Sequence, residues 1–261
     1  YFEPQNNNAL MNYSFIDYIN DKNRPEAAKY NPEIKKKINE NLFTKDKIED
    51  NIDRINREAF EQNVEHFVMP SCTIMYKPSS TPLLESDFDE SDDIFPTYYG
   101  AGNTKVYLEK MCKFYSGFGK TKHTVLRQSN IYGPHDKFDL DKSHVFGATI
   151  TKVMTNDDEV VVWGSGEEER DFLFVEDLLD LIENSINNQK DMYALVNASY
   201  GNAISIDTLV KKVVSISKRD LKISYDKTKP TIKTKIAISN SLAKNVFWLL
   251  NGAILFALDI I

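Results

Sequence analysis

The 261-residue chain has no glycine before Gly100, and it contains ten glycines in all. A glycine-rich turn lets the backbone approach a phosphate group closely at the start of a helix, because glycine carries no Cβ. Every position of residues 1–99 carries a side chain beyond the backbone. The sequence therefore excludes a glycine-rich phosphate-binding turn from its first 99 residues.

Cysteine is scarce as well, with Cys72 and Cys112 as the two examples and no paired spacing around them. This excludes a disulfide framework and a cysteine-based zinc site, and it favours a reducing compartment, for which the cytoplasm is the expectation. Basic residues are spread along the chain, the formal net charge is -7 and the isoelectric point is near 5.3. Composition thus argues against a nucleic-acid partner and favours a small-molecule ligand.

Long apolar runs are also few. The run from Val246 to Ile261 is shorter than the ~20 residues that a membrane span needs, and it contains Asn251 and Asp259. We therefore expect a buried or aberrant C-terminal helix and no membrane partner. At the other end, Tyr1 is followed by neither the basic nor the apolar segment of a signal peptide, and we interpret the chain as a fragment.

Short β-type runs alternate with helical patterns along most of the chain. The predicted strands cover residues 66–69, 123–133, 159–164 and 192–199, and the predicted helices cover 104–115, 175–187 and 206–217, preceded by an amphipathic helix that begins at Thr44. Strands alternating with helices predict an α/β fold with a parallel sheet covered on both faces. Ligands of such sheets bind at the carboxyl ends of the strands.

Four motifs carry a resemblance to a known family, and they read "FVMPSCTIMY", "TKVYLEKMCKFY", "LRQSNIYGPHDKFDLDKSHVFGATITK" and "VVVWGSGEEERDFLFVEDLLD". They are similar to the extended short-chain dehydrogenase/reductases that act on nucleotide sugars, the NAD(P)-dependent epimerase/dehydratases, and within them to GDP-L-fucose synthases. The resemblance covers about residues 64–206. It implies a Rossmann-like sheet with a smaller C-terminal substrate lobe, NADP or NAD as cofactor, and hydride exchange at a carbon of a nucleotide sugar.

The same resemblance implies a division of the chain. Residues 1–43 form a divergent N-terminal segment, and residues 44–135 form a partial Rossmann-like domain with contributions from residues 171–200. Residues 136–170 and 201–261 form the nucleotide-sugar-binding lobe. Relatives commonly dimerise through the helix that carries the catalytic lysine, so the resemblance also allows a homodimer.

By this resemblance Lys105 is the catalytic lysine, whose charge lowers the pKa of a neighbouring tyrosine and whose ammonium binds the cofactor ribose. The family also keeps a serine or threonine at the end of the preceding strand, where it binds the reacting hydroxyl or carbonyl, beside a cysteine in fucose synthases. Matching the "SC" pair directly selects Ser71 for this role and for contact with the cofactor. Counting back four residues from Tyr76 selects Cys72, and Thr73 follows it.

The remaining matches concern the sugar nucleotide. His144 falls where fucose synthases have a histidine that acts as the acid in epimerisation, a role suited to a side chain that titrates near neutrality. Trp163 matches a residue that packs on the base, and Arg170 matches one that pairs with the diphosphate. Lys152 matches a basic position on the phosphate side, and Asn130 resembles an asparagine that contacts the substrate.

The tyrosine that the family places four residues before its lysine is replaced here by Ala101. Either the glycines on both sides of Ala101 permit an irregular helix start through which Tyr99 or Tyr98 reaches the site, or the proton donor is absent. In a regular helix Tyr99 points away from the face of Lys105, whereas Tyr98 lies on that face but about 10 Å along the axis. We favour Tyr99 through an irregular start.

Two functions stay open on these grounds. The first is an NAD(P)-dependent nucleotide-sugar epimerase or reductase with acid-base chemistry of the tyrosine, lysine and serine type. The second is a non-catalytic or truncated family member that binds a sugar nucleotide but not the dinucleotide, because the glycine-rich turn is excluded and the tyrosine is displaced. Binding of the dinucleotide separates the two.

Overall fold

The computed structural model describes residues 48–89, 91–140, 143–229 and 235–247. The predictions for residues 1–43 fall outside these ranges, as does most of the apolar run that ends at Ile261. Within the described ranges, no helix is both long enough and apolar enough to cross a membrane.

Helices and strands alternate along the described residues. In chain order they are α1 (Ile48–Glu61), β1 (His66–Cys72), β2 (Ser79–Leu83), α2 (Tyr99–Ser116), β3 (Lys122–Gln128), β4 (Asn130–Tyr132), α3 (Val145–Thr155), β5 (Glu159–Trp163), β6 (Glu169–Phe174), α4 (Val175–Asn188), β7 (Tyr193–Ala198), β8 (Ala203–Ser205), α5 (Ile206–Ser217), β9 (Lys222–Asp226), β10 (Ile236–Ile238) and α6 (Ser241–Val246). Short 3-10 helices cover Glu85–Asp87 and Pro96–Tyr98.

The helices predicted at residues 175–187 and 206–217 are confirmed as α4 and α5. The strand predicted at 123–133 is divided into β3 and β4, which belong to different sheets. The predicted helix at 104–115 is longer than expected, because α2 begins five residues earlier, at Tyr99. The predicted strands and helices occur in the expected order. The described residues also contain elements that the sequence patterns did not predict: β2, α3, β6, β8, β9, β10 and α6.

The central sheet contains β1, β3 and β7 in the order β1-β3-β7, and both pairs are parallel. Ser71 of β1 lies opposite Arg127 of β3, and Arg127 lies opposite Asn197 of β7. These three polar residues form one row across the sheet near the carboxyl ends of its strands. Since ligands of parallel sheets bind at that edge, the row lies on the side where a site is expected.

Successive residues of the sheet point to opposite faces, and both faces are buried. Val125 packs with Met69 and Cys112 on the face covered by α2. Leu126, the next residue, packs with Leu181 of α4 and Val196 on the other face. Full burial of a leucine or valine side chain contributes about 1.5–3 kcal/mol. The expected parallel sheet with both faces covered, and with it the α/β Rossmann-like class, is therefore confirmed.

A second apolar core lies among α3, α5, β4, β5 and β6. Val153, Val160 and Leu209 are almost completely buried in it, and the rings of Tyr132 and Phe146 stack there with centroids 4.1 Å apart. Its residues from α3, β5 and α5 belong to the part of the chain expected to bind the sugar nucleotide, as does β9, which pairs with β5. The domain limits themselves stay a prediction.

The start of α5 shows how local sequence sets a boundary. Ser205 precedes the helix, and its Oγ accepts a hydrogen bond from the backbone N–H of Thr208 at 3.1 Å. At the other end Lys218 adopts the left-handed conformation, with φ 57°, and its N–H donates to the carbonyl of Ser215. Both ends of the helix thus have partners for groups that a helix leaves unpaired.

Candidate active site

An open cleft lies at the carboxyl edge of the sheet, between the central sheet and the second core. Its lining comes from separate segments of the chain: Thr73, Ile74, Tyr76, Pro78, Phe95, Tyr98, Ser129, Asn130, Arg170, Asp171, Ile236 and Ile238. The enclosed part measures about 70 Å³. Pockets for whole small-molecule ligands are typically about 300–1,000 Å³, so these residues can enclose one portion of a large substrate.

Tyr98 contributes a phenol to the cleft. It ends the 3-10 helix that precedes α2, and it is half-buried against Cys72, Met75 and their neighbours. Burial raises the pKa of Tyr98, and the nearby positive charge of Arg170 opposes that rise. Tyr98 is therefore a neutral phenol near pH 7, able to donate a proton.

Tyr99 is the first residue of α2, and 62% of its surface is exposed. It is not among the residues that line the cleft. A 3-10 helix, and not a bulge at the glycines, forms the irregular start, because it covers Pro96–Tyr98 and ends where α2 begins. Of the two tyrosines considered from sequence, the structure thus brings Tyr98 and not Tyr99 to the cleft.

Gly102 has a packing role in the first turn of α2. A Cβ at this position would lie 2.8 Å from Cγ2 of Ile94, which is closer than real contacts of this kind. The glycine therefore lets the buried Ile94 side chain pack directly against the helix.

Lys105 lies on α2 and reaches the end of β1, where its Nζ donates a hydrogen bond to the carbonyl of Pro70 at 2.7 Å. Burial lowers the pKa of Lys105, while the nearby Cys72 and Glu109 oppose that change. The lysine does not line the cleft itself, but the strand end that it contacts continues directly to Thr73, which does. This places a half-buried ammonium at the strand end, three residues before the cleft residue Thr73.

Ser71 is fully buried, and its hydroxyl donates to Oε1 of Glu109 at 2.5 Å. Its hydroxyl therefore already has a partner within the protein. Glu109 in turn forms a buried ion pair with Arg127, with 2.7 Å between Oε2 and Nη2. The Ser71 position, expected to meet substrate and cofactor, lies under the cleft wall in this arrangement.

Of the two residues that follow Ser71, Thr73 lines the cleft and Cys72 does not. Cys72 is buried in an apolar cluster, and burial raises the pKa of its thiol to about 11, so the thiol is protonated at neutral pH. Thr73 lines the cleft and offers a hydroxyl to it. Of the hydroxyl and thiol residues at the end of β1, Thr73 is the one whose position suits contact with a sugar oxygen.

Asn130 and Arg170 both line the cleft, as the resemblance implies. The Asn130 amide donates to the carbonyl of Asp171 at 2.9 Å, which fixes its orientation. Burial lowers the pKa of Arg170, yet its guanidinium stays charged at neutral pH, since arginine titrates far above that range. The cleft therefore combines a phenol, a hydroxyl, an amide and a cation.

Asp171 also lines the cleft, and the sequence had not singled it out. Burial raises the pKa of Asp171, while backbone donors oppose the rise: the N–H groups of Tyr200 and Gly201 bind its carboxylate at 2.9 and 2.8 Å. This carboxylate ties β6 to the segment after β7. Its role in the described structure is to hold one wall of the cleft.

Trp163 and Lys152 form a second cluster at the end of β5. Trp163 is 52% exposed, and the ammonium groups of Lys152 and Lys229 lie 5.1 and 5.6 Å from its ring centroid. Lys152 Nζ also donates to the carbonyl of Val161 at 3.0 Å. The cluster offers an aromatic surface with two cations beside it, a combination suited to a base and phosphate groups.

His144 immediately precedes α3 and is exposed. It is absent from the cleft lining among the described residues, and residues 141–142 before it lie outside the described ranges. The structure therefore brings Asn130 and Arg170 together in the cleft and leaves His144 elsewhere on the surface. Its role as an acid stays a prediction.

Most of the chain matches the model of one known protein family. The profile of the NAD dependent epimerase/dehydratase family matches residues 40–197, more than half of the chain. The chain belongs to this family. The family is NAD-dependent by its description, which confirms the cofactor class, NAD or NADP, that the resemblance implies.

Two curated relatives extend the comparison. GDP-L-colitose synthase from Yersinia pseudotuberculosis is 28% identical over 195 residues, which cover 73% of this chain and 63% of that protein. GDP-L-fucose synthase 1 from Arabidopsis thaliana is 30% identical over 195 residues, covering 73% of this chain and 60% of that protein. The chain thus spans less than two thirds of the length of these relatives.

Among solved structures, a GDP-6-OMe-4-keto-L-xylo-heptose reductase from C. jejuni superposes with a TM-score of 0.67 at 20% sequence identity. The match covers 76% of this chain and 69% of that one. At this identity the likeness establishes the fold, and it agrees with the Rossmann-like sheet described above.

Proposed function

We propose that the protein is an NAD(P)-dependent nucleotide-sugar epimerase or reductase that exchanges a hydride at a sugar carbon. The observation that supports this most is the cleft in which Tyr98, Thr73, Asn130 and Arg170 converge from four segments, beside the half-buried Lys105. Such convergence of polar groups at the carboxyl edge of a parallel sheet is typical of a substrate site.

The described residues fit the nicotinamide end of the cofactor. Lys105 presents an ammonium beside the carboxyl end of β1, where a ribose hydroxyl can replace the carbonyl of Pro70 as its partner. When bound, the nicotinamide ring supplies the site that accepts or donates the hydride. In the proposal Lys105 orients the ribose and adds positive charge to the site.

In the proposed acid-base step the proton moves at the sugar oxygen next to the hydride-exchanging carbon. The phenol of Tyr98 donates or accepts this proton, and the Thr73 hydroxyl holds the same oxygen by a hydrogen bond. Burial raises the pKa of Tyr98, which favours the protonated form needed for reduction of a ketone. This proposal replaces Tyr99 by Tyr98 and transfers the hydroxyl role from Ser71 to Thr73.

In the proposal, basic side chains and one indole bind the nucleotide part of the substrate. Arg170 lies in the cleft, where its guanidinium can pair with diphosphate oxygens in a bidentate way. Trp163, with Lys152 and Lys229 around its ring, offers a surface for the base. The names of the relatives favour a GDP-linked sugar as the first substrate to test.

His144 and Cys72 enter the proposal differently. An epimerisation needs an acid or base at a second carbon, and exposed His144 keeps this role in the proposal, because no acid other than Tyr98 is assigned to the cleft. Cys72 is given no chemical step, since its thiol is buried and its pKa is raised to about 11.

The second candidate function is that of a family member that binds a sugar nucleotide without the dinucleotide. It is favoured by the absence of glycine from residues 1–99 of the sequence and by the contact of Lys105 with a backbone carbonyl. It retains Arg170 and Trp163 as nucleotide contacts and makes Lys105 a structural residue.

Turnover tests the first candidate against the second. Purified protein is incubated with NADPH or NADH and a panel of GDP- and UDP-linked sugars that includes 4-keto sugars, and dinucleotide oxidation is followed by absorbance. Lys105→Ala is expected to abolish the oxidation, while Lys211→Met, a change on an exposed face of α5, is expected to retain it. Substrate-dependent oxidation that survives Lys105→Ala contradicts the proposed chemistry.

A further inference from the structure

Two side chains of α2, one helical turn apart, bind two successive residues of β1. Lys105 donates to the carbonyl of Pro70 at 2.7 Å, and Glu109 accepts a hydrogen bond from the hydroxyl of Ser71 at 2.5 Å. Residues four apart on a helix lie on one face, so a single stripe of α2 holds the end of the strand. Thr73, the cleft hydroxyl, follows two residues later.

Glu109 is itself held from the neighbouring strand. Arg127 of β3 lies opposite Ser71 in the sheet register, and its Nη2 and Nε donate to the Glu109 carboxylate at 2.7 and 3.1 Å. Both partners of this ion pair are almost completely buried. Removal of one partner of such a pair leaves a charge buried without compensation, which is strongly destabilising.

The guanidinium of Arg127 is enclosed on its remaining sides. Its Nη1 donates at 3.0 Å to the Tyr76 hydroxyl and to the carbonyl of Glu85, and its guanidinium carbon lies 5.1 Å from the ring centroid of Phe88. The Tyr76 hydroxyl, which accepts from Arg127, donates in turn to the Asn197 side chain of β7 at 2.7 Å. The position of the Glu109 carboxylate is therefore determined by three strands of the central sheet.

The protonation of Lys105 depends on its burial and on the charged groups near it. Burial disfavours the ammonium form of Lys105, and the groups that act on it in the opposite direction are Cys72 and Glu109. Because the pKa of the Cys72 thiol is raised to about 11, this thiol carries no charge near neutral pH. The carboxylate of Glu109 is then the negative charge that supports the ammonium at that pH.

We propose that Glu109 is a positioning residue for the lysine of the active site: from its buried place one helical turn away, its carboxylate fixes the end of β1 and supplies a negative charge that favours the Lys105 ammonium. Glu109 is 5% exposed and is not among the described residues that line the cleft; Arg127 connects it to Tyr76 of that lining. It acts through Lys105 and Ser71, not on substrate. The importance of this effect for turnover depends on the function proposed above.

The proposal is tested by the reactivity of Lys105 in the protein without cofactor or substrate. Acetic anhydride modifies the neutral amine and not the ammonium, so the pH at which labelling reaches half its limit reports the protonation of each lysine. Peptide mass spectrometry follows Lys105, with exposed Lys110 of the same helix as internal reference. Glu109→Gln is compared with the parent and with Glu58→Gln, the same change on an exposed position of α1.

We expect the labelling midpoint of Lys105 to move to lower pH in Glu109→Gln, so that its labelling relative to Lys110 below the parent midpoint rises about twofold or more. Because Glu109→Gln leaves Arg127 buried with an uncharged partner, the double variant Glu109→Gln/Arg127→Met is measured in parallel. It removes both charges, a replacement that buried ion pairs often tolerate. A smaller shift in the same direction is expected in the double variant, because a cation is removed together with the anion, and no shift is expected in Glu58→Gln.

A folded Glu109→Gln variant, shown by circular dichroism, that labels with the parent midpoint overturns the proposal. Such a result, with a lower melting temperature, would assign Glu109 a structural role alone. The labelling requires no turnover, so its outcome is independent of the proposed function. A shifted midpoint in a protein that binds no dinucleotide would support the action of Glu109 on Lys105 and contradict the enzyme proposal.

Discussion

Tyr98 lines the cleft with Arg170, whereas Tyr99, the next residue, is 62% exposed. The separation arises because the chain passes from a 3-10 helix to α2 between these two residues. Of the two adjacent phenols, Tyr98 is therefore the one that lines the cleft, a question that the spacing from Lys105 did not answer.

The first prediction follows from this difference. Tyr98→Phe removes the proposed proton donor and keeps the ring, so turnover is expected to fall by about 10²-fold or more. Tyr99→Phe removes an exposed hydroxyl and is expected to leave turnover within about twofold of the parent. Initial rates with one nucleotide sugar compare the two variants. Loss of activity in Tyr99→Phe with retention in Tyr98→Phe would return the role to Tyr99.

The second prediction concerns the nucleotide end. Arg170→Leu keeps much of the side-chain volume and removes the charge, so GDP is expected to bind about tenfold more weakly or worse, as for the loss of a charge-assisted hydrogen bond. Calorimetric titration of GDP measures the change. The matched control Lys211→Met removes an exposed cation of α5, and equal weakening in both variants would indicate a general charge effect without a specific contact.

The third prediction concerns the core beneath the site. Leu126 is fully buried in the face covered by α4, and Leu126→Ala is expected to lower the free energy of unfolding by about 2–5 kcal/mol. Leu179→Ala changes a residue of α4 that is 44% exposed, and a loss of roughly 0.5 kcal/mol is expected there. Urea denaturation measures both, and similar losses would contradict the described packing.

The fourth prediction concerns acid sensitivity. His123 is fully buried, its Nε2 has no hydrogen-bond partner among the described residues, and burial lowers its pKa from the ordinary 6.5. The unfolded chain therefore takes up this proton at higher pH than the folded protein does, so stability is retained above about pH 6.5 and falls as the pH drops below it. His66 adds to the effect, because burial also lowers its pKa.

Denaturation midpoints between pH 7.5 and 5 test the fourth prediction. His123→Gln is expected to lose less stability over this range than the parent does, whatever its stability at pH 7.5. His144→Gln changes an exposed histidine and is expected to keep the parent's pH dependence. An unchanged pH dependence in His123→Gln would show that other groups cause the acid sensitivity.

Sequence periodicity predicted the elements that have a strong apolar pattern of their own. The helix expected at residues 206–217 has the bounds of α5, because its apolar stripe and its serine cap are both local signals. β10 has three residues and exists through parallel pairing with β2, more than 150 positions earlier in the chain. No local pattern could reveal such a pairing, since its stability comes from the partner strand.

The candidate site was predicted in part, and its differences have physical causes. Asn130 and Arg170 were found through the family resemblance, and both line the cleft. The sequence favoured Tyr99 through an irregular helix start. The irregular start is the 3-10 helix Pro96–Tyr98, and Tyr98 is the tyrosine that lines the cleft. Glu109 and Arg127 look like solvated charges in sequence, and their burial follows from pairing across a helix and a strand.

The most direct test of the central claim is calorimetric titration of the full chain with NADPH and NADH, with GDP and UDP titrated into the same preparation. One dinucleotide is expected to bind at about micromolar affinity, with weaker binding in Lys105→Ala, and GDP or UDP is expected to bind as well. Binding of GDP or UDP with no heat from either dinucleotide would contradict the enzyme proposal and support a protein that binds sugar nucleotides alone.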